Sequence, residues 1–158
     1  MKKIYAFLAQ GFEETEALMV IDLMRRSHTI DVVTVSVTDE LMVESSHKVN
    51  IKADKLIKDI NFDEGNGIFL PGGIPGTPNL EACDMLKQAI LKYYKEGKYL
   101  TAICAAPSIY SHLGLLKDKR ATSHGSFEKE MDCKEYGGSV VTDGQFVTAN
   151  GLGAALEM

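Results

Sequence analysis

Cys104 closes the apolar run Tyr99 to Ile103 and is followed at once by the small residues Ala105-Ala106-Pro107-Ser108. A strand that turns there into a helix sets the sulfur against unpaired amide N–H groups and the positive end of the helix dipole, both of which favour thiolate over thiol. That is where a nucleophile would sit. The other reading is an inert residue, because a free cysteine usually packs as a small hydrophobe. Cys83 and Cys133 lie on or beside helices with polar neighbours and are read as structural. Other unusual residues also fall at the ends of predicted strands, where open α/β sheets bind their ligands. Glu16 follows the first strand, Gly72-Gly73 the third, and His124 and Gly151 later ones. Glu16 lies in the first turn of a helix whose side chains lean toward its N-terminus, so its carboxyl points back to the sheet edge. Glu13 and Glu14 are read as acids complementing the helix dipole. Gly72-Gly73 is either a turn or a bare backbone whose N–H groups approach a developing oxyanion, with the Ala105 amide as second donor. His124 is either a pocket residue or a satisfied one, and His28, His47 and His112 are read as satisfied. Neither glycine cluster is a phosphate signature: PGGIPG lacks the Gly-Lys-Ser/Thr of a P-loop, and GLGAAL lies too near the C-terminus to begin a dinucleotide-binding unit.

These residues need a scaffold that brings separated strand ends together. Residues 3–9 form a nearly continuous apolar run, as strands covered on both faces do. A helix from Glu13 to about Arg26 follows, acidic at its start and basic at its end, then a β-branched strand over residues 31–37. Short strands are expected near 41–43 and 49–53, polar turns over 61–67, and a strand at 67–70. A helix is predicted over Glu81 to Glu96, with Ala82, Met85, Leu86, Ala89, Ile90 and Tyr93 on one stripe and Gly97 as its stop. Beyond Cys104 a helix to about Leu113, a short strand at 120–123, a short acidic helix near 127–131 and a hairpin through Asp143-Gly144 are expected. Residues 154–158 read as the first turn of a further helix. The alternation gives a doubly wound, mostly parallel α/β sheet with helices on both faces.

The 158 residues suit a single domain, and 45% hydrophobic with 25% charged residues is ordinary globular usage. A net charge of −5 without a dense Lys/Arg cluster argues against nucleic-acid or membrane-surface partners and for a small molecule. Three cysteines without close pairing form no disulfide framework, and no Cys/His group has metal-ligand spacing, so neither metal nor cofactor is expected. A reducing, cytoplasmic location follows. The N-terminal apolar run is too short for a signal peptide, and no run reaches membrane-spanning length.

Read together, GFEETEAL at 11–18, FLPGG at 69–73, AICAAPS at 102–108, ATSH at 121–124 and TANGLGAALE at 148–157 resemble the DJ-1/ThiJ/PfpI superfamily, in the same order and at similar spacing. The likeness is greatest to the branch of DJ-1 and its bacterial relatives. It implies a flavodoxin-like fold, a homodimer, a reactive Cys104 on a strained nucleophile elbow, Glu16 as its acidic partner and His124 as a pocket histidine. It further implies glyoxalase III-like or deglycase activity on methylglyoxal-type carbonyl compounds or their adducts. Two acidic groups within hydrogen-bond reach share a proton, and thiolate at Cys104 with neutral Glu16 is the expected state near neutral pH. In that scheme Cys104 adds to the aldehyde carbon, Gly73 and Ala105 amides hold the oxyanion, and Glu16 moves protons with His124 assisting. An oxidative-stress sensor or chaperone using Cys104 oxidation is the alternative, and a PfpI-like peptidase a second, weakened because Ala105 stands where that branch carries its histidine. Three departures stand out. Gly125 replaces the proline common after the histidine, His47 stands where an arginine often lies, and the chain ends at Met158 where the family continues through another helix. One sheet face is therefore expected to be partly uncovered, unless a partner covers it or the chain is a shortened version.

Overall fold

Strand β1 (Lys2–Leu8) runs through the interior of the sheet, and its side chains alternate between two cores: Tyr5 and Phe7 enter one, Ile4, Ala6 and Leu8 the other. A continuous apolar run becomes this when both faces are covered. The computed structural model describes residues 1–158. Helix α1 (Glu14–Arg26) returns across one face, burying Ala17, Val20 and Ile21, with Arg25 and Arg26 in its last turn. Strand β2 (Ile30–Ser36) then lies parallel to β1. The chain next leaves the sheet for an antiparallel pair, β3 (Met42–Glu44) and β4 (Asn50–Lys52), and comes back as β5 (Lys55–Leu56) along the outer edge of β2. Two 3-10 turns, Ile57–Asp59 and Phe62–Glu64, lead to the fully buried β6 (Gly67–Leu70).

The single helix predicted over Glu81–Glu96 is two helices. α2 (Gly76–Glu81) ends where Ala82 and Cys83 bond back to Pro78 and Leu80, and α3 (Asp84–Lys95) restarts after an extended Cys83. The break takes Ala82 off the predicted stripe; within α3 Leu86, Ala89, Ile90 and Tyr93 are buried, while Met85 at its first turn is 43% exposed. Strand β7 (Tyr99–Ile103) carries the elbow, and α4 (Pro107–His112) follows it. A short parallel pair, β8 (Arg120–Ala121) and β9 (Glu135–Tyr136), brackets a 3-10 helix at Gly125–Glu130 in place of the expected α-helical turn. The predicted hairpin is β10 (Val140–Asp143) with β11 (Phe146–Ala149), and a 3-10 turn at Leu152–Ala154 takes the place of the last helical start.

The strand order is β10-β11-β7-β6-β1-β2-β5, with every neighbour parallel except β10 and β11. This is the mostly parallel, flavodoxin-like sheet expected. Helices α2, α3 and α4 cover the Tyr5 and Phe7 face, and α1 covers the other. Beside α1 that second face keeps an apolar groove of about 290 Å³ lined by Val20, Met24, Ile30, Val147 and Met158, among others. No helix is long and apolar enough to cross a membrane.

Candidate active site

Parallel packing of β1, β6 and β7 brings the loops after them to one edge, and Glu16, Gly72 and Cys104 meet there. Glu13 is the N-cap of α1, its carboxylate accepting from the Glu16 amide at 2.6 Å, which fixes the first helical turn. The Glu13 amide in turn donates to the Gly72 carbonyl at 2.8 Å. Glu16 is 2% exposed; its carboxyl accepts from the Gly72 amide at 3.1 Å and lies beside Cys104 over the bare Gly72 backbone.

Gly72 is the floor on which the pair rests. A Cβ there would come within 2.5 Å of the Glu16 carboxyl oxygen and 2.7 Å of Cys104 Cβ. The Gly72→Ala protein is expected to lose about 1–3 kcal/mol of stability through overpacking. It should also lose most of its Cys104 reactivity; urea denaturation and iodoacetamide labelling check the two effects, and a labelling rate equal to wild type would refute this role. Gly73 is needed twice over, for its φ of 102° and because a Cβ would lie 2.4 Å from the Glu13 nitrogen.

Cys104 has φ 64°, the left-handed conformation that the elbow reading requires. For a residue with a Cβ this costs about 1–3 kcal/mol and persists only where the surroundings over-determine it. Its amide donates to the Ala149 carbonyl at 2.8 Å and its carbonyl accepts from the His124 amide at 2.7 Å. The elbow is thus clamped between β11 and the loop after β8.

The electrostatics set burial against the expected thiolate. The helix start offers the sulfur one amide, that of Ala105. Pro107 has no N–H, the Ala106 amide bonds to the Ile103 carbonyl, and the Ser108 amide to the Ala105 carbonyl. Burial, then the neighbouring Glu16 carboxyl, push the Cys104 thiol up to about 12. Burial pushes Glu16 up to about 7, although hydrogen bonds from Cys104 and Gly72 pull it down. The pair titrates as one unit and holds its protons more tightly than two separate groups. The Gly73 amide makes no hydrogen bond within the protein and is available to an oxyanion, whereas the Ala105 amide, bonded to no backbone oxygen, is the one turned to the Cys104 sulfur.

His124 adjoins Cys104 through its backbone. Its ring Nδ1 lies 2.7 Å from Ser126 Oγ and accepts from the Ser126 amide, and the ring is not hydrogen-bonded to Cys104. It lines a polar cleft of about 520 Å³ with Tyr136, Gly138, Asn150 and Gly151. Gly125, the departure noted after the histidine, opens the 3-10 helix there. His47 pairs with Glu14 at 2.9 Å. Glu13, Glu14 and His47 are the one group of potential metal ligands close enough to share a cation, yet Glu13 is engaged by the Glu16 amide and Glu14 by His47. Sequence reasoning missed the capping role of Glu13 and the clamp from Ala149. The first was legible in principle, as a carboxylate three residues before Glu16.

The family model of the DJ-1/PfpI family matches residues 2–158. The chain is 36% identical to the Protein DJ-1 homolog B of Arabidopsis thaliana over 99% of its own length but 36% of that protein, so it spans about a third of this relative. It is 30% identical to the Parkinson disease protein 7 homolog of Danio rerio, covering 99% of this chain and 85% of that one. The solved structure of oxidised Toxoplasma gondii DJ-1 superposes with a TM-score of 0.94 at 32% identity, over 99% of this chain and 86% of that one.

Proposed function

This chain belongs to the DJ-1/PfpI family, and from that premise we propose that it is a cysteine-dependent, cofactor-independent enzyme of the glyoxalase III or deglycase type. Its substrates are methylglyoxal-type dicarbonyls or their adducts. The observation that carries this reading is the juxtaposition of Cys104, at φ 64°, and buried Glu16 over Gly72. A carboxylate whose pKa lies near 7 is well matched to take a thiol proton at neutral pH.

In this mechanism the Cys104 sulfur forms a bond to the aldehyde carbon of methylglyoxal while its proton passes to Glu16. The aldehyde oxygen becomes an oxyanion facing the Gly73 and Ala105 amides, then a hemithioacetal hydroxyl. Glu16, with His124 assisting, moves the proton of the former aldehyde carbon to the adjacent ketone carbon through an enediol. The product is a lactoyl thioester on Cys104. Water hydrolyses it, releasing lactate and restoring the thiol, so no redox partner is needed. A homodimer and a cytoplasmic location belong to the same proposal and rest on the resemblance. The purified protein should convert methylglyoxal to lactate without added cofactor or thiol; lactate formation at the uncatalysed rate overturns the reading.

The second reading, a redox sensor, draws on the oxidised state of the Toxoplasma gondii relative. The half-buried sulfur beside Glu16 is where a sulfinate would be held. Mass spectrometry after mild peroxide separates the two, since a sensor oxidises at Cys104 before Cys83 or Cys133.

A further inference from the structure

The loops that follow β1, β6, β7 and β11, residues 9–16, 71–81, 104–112 and 150–157, carry Glu13, Glu14, Glu16, Glu81 and Glu157 and no lysine or arginine. The opposite edge of the sheet holds many of the cations: Lys2 and Lys3 open β1, Lys98 precedes β7, and Arg25, Arg26 and Lys95 end their helices. Acids such as Glu64 and Glu96 pair several of those cations at their own edge, whereas the loops around the candidate site carry acids alone. Beside the reacting pair, the Glu13 carboxylate is fixed 2.6 Å from the Glu16 amide and forms no ion pair, although the His47 ring lies within 4.8 Å of it. His47 pairs with Glu14 instead.

We propose that Glu13 makes this site select by charge, admitting uncharged and cationic carbonyl compounds to Cys104 and turning anionic ones away. The proposal rests on the reading of Cys104 as the reactive group, but not on the identity of its substrate. Both Cys104 and Glu16 feel the Glu13 carboxylate as a like charge. At the effective dielectric of a protein surface, one fixed charge beside the reacting group changes a rate by roughly three- to tenfold. The change has opposite sign for the two charge types. A carboxylate-bearing carbonyl such as glyoxylate is disfavoured and a quaternary-ammonium aldehyde favoured.

The test avoids the substrate. Methanethiosulfonates carrying an ethyltrimethylammonium or an ethylsulfonate group are of similar size and the same chemistry, and their rates at Cys104 are read by site-resolved mass spectrometry in the full chain. The cation-to-anion ratio, divided by that of 2-mercaptoethanol, is expected to be about fivefold or more at low salt. Glu13→Gln, which keeps an acceptor for the Glu16 amide, should bring it within about twofold of the free thiol, as should salt at about 1 M. A merely structural role for Glu13 would shift both reagents, and the neutral methyl reagent, by the same factor. A wild-type ratio equal to the free thiol's, or one that Glu13→Gln and salt both leave unchanged, overturns the proposal. If Cys104 reacts with none of the reagents, the proposal falls together with the reading of Cys104 as nucleophile. Failure of lactate formation alone, with the charge ratio as expected, removes the substrate assignment and leaves charge selection standing.

Discussion

Cys104→Ser protein is expected to form lactate from methylglyoxal no faster than the uncatalysed reaction, a loss of about a thousandfold or more in kcat. The hydroxyl fits the space of the thiol, so the fold is kept, but its proton is held far too tightly for a carboxylate titrating near 7 to remove. Two further replacements separate reactivity from strain. Cys104→Ala and Cys104→Gly both lack the nucleophile and both leave a small void beside Glu16. They differ in what φ 64° costs them, because only alanine carries a Cβ into the left-handed region. The glycine protein is therefore expected to be more stable than the alanine protein by about 1 kcal/mol, a Tm difference of about 2–4 °C for a chain of this size. An alanine protein as stable as the glycine protein would mean the elbow is unstrained. A Cys104→Ser protein that keeps turnover would remove the nucleophile from the mechanism altogether. The expected combination, both variants inactive and glycine the more stable of the two, marks a residue whose conformation is kept at a cost to the fold.

The sequence made β1 legible because a run buried on both faces is apolar at every position, and made α1 legible because its charges follow the helix dipole. The hairpin of β10 and β11 was equally readable from Asp143-Gly144. Strand β5 was not, since two residues, Lys55 and Leu56, carry no period and are strands only because β2 lies beside them. The break at Ala82-Cys83 was hidden for a related reason: both residues are compatible with helix, and the interruption lies in bonds back to Pro78 and Leu80. At the site, the residue types and their strand-end positions were readable. The role of Gly72 was not, because the space it leaves is defined by Glu16 and Cys104, which are far from it in the chain. The burial that raises the Cys104 thiol was not legible, because the helix-dipole argument is local whereas burial is tertiary. Pro107 in α4 could have signalled the shortage of amide donors.

Glu16→Gln is expected to do two opposite things, and the opposition is its diagnostic value. Activity should fall by about a hundredfold or more, because the amide cannot accept the thiol proton. The limb of the kcat/KM profile near pH 7, assigned to Glu16, should vanish with it. Stability should change the other way as pH rises. In the unfolded chain Glu16 loses its proton near its ordinary value of 4.5, whereas in the folded protein burial holds the proton until about pH 7. Between those values the folded state binds more protons than the unfolded state, so the contribution of Glu16 to stability is fully present below about pH 4.5 and declines as pH rises through 7. The total decline is about 3 kcal/mol at 1.36 kcal/mol per pH unit of difference. Glutamine does not titrate, and the remaining carboxyls change alike in both proteins and cancel. Urea denaturation at pH 5 and pH 8 should therefore show wild type losing about 2–3 kcal/mol more than the variant across that interval. Parallel losses would mean that Glu16 is not held protonated in the folded state, and the general-base role would lose its physical basis. The same burial that weakens the fold above neutral pH is what raises the carboxylate's basicity toward that of a useful base for the Cys104 thiol.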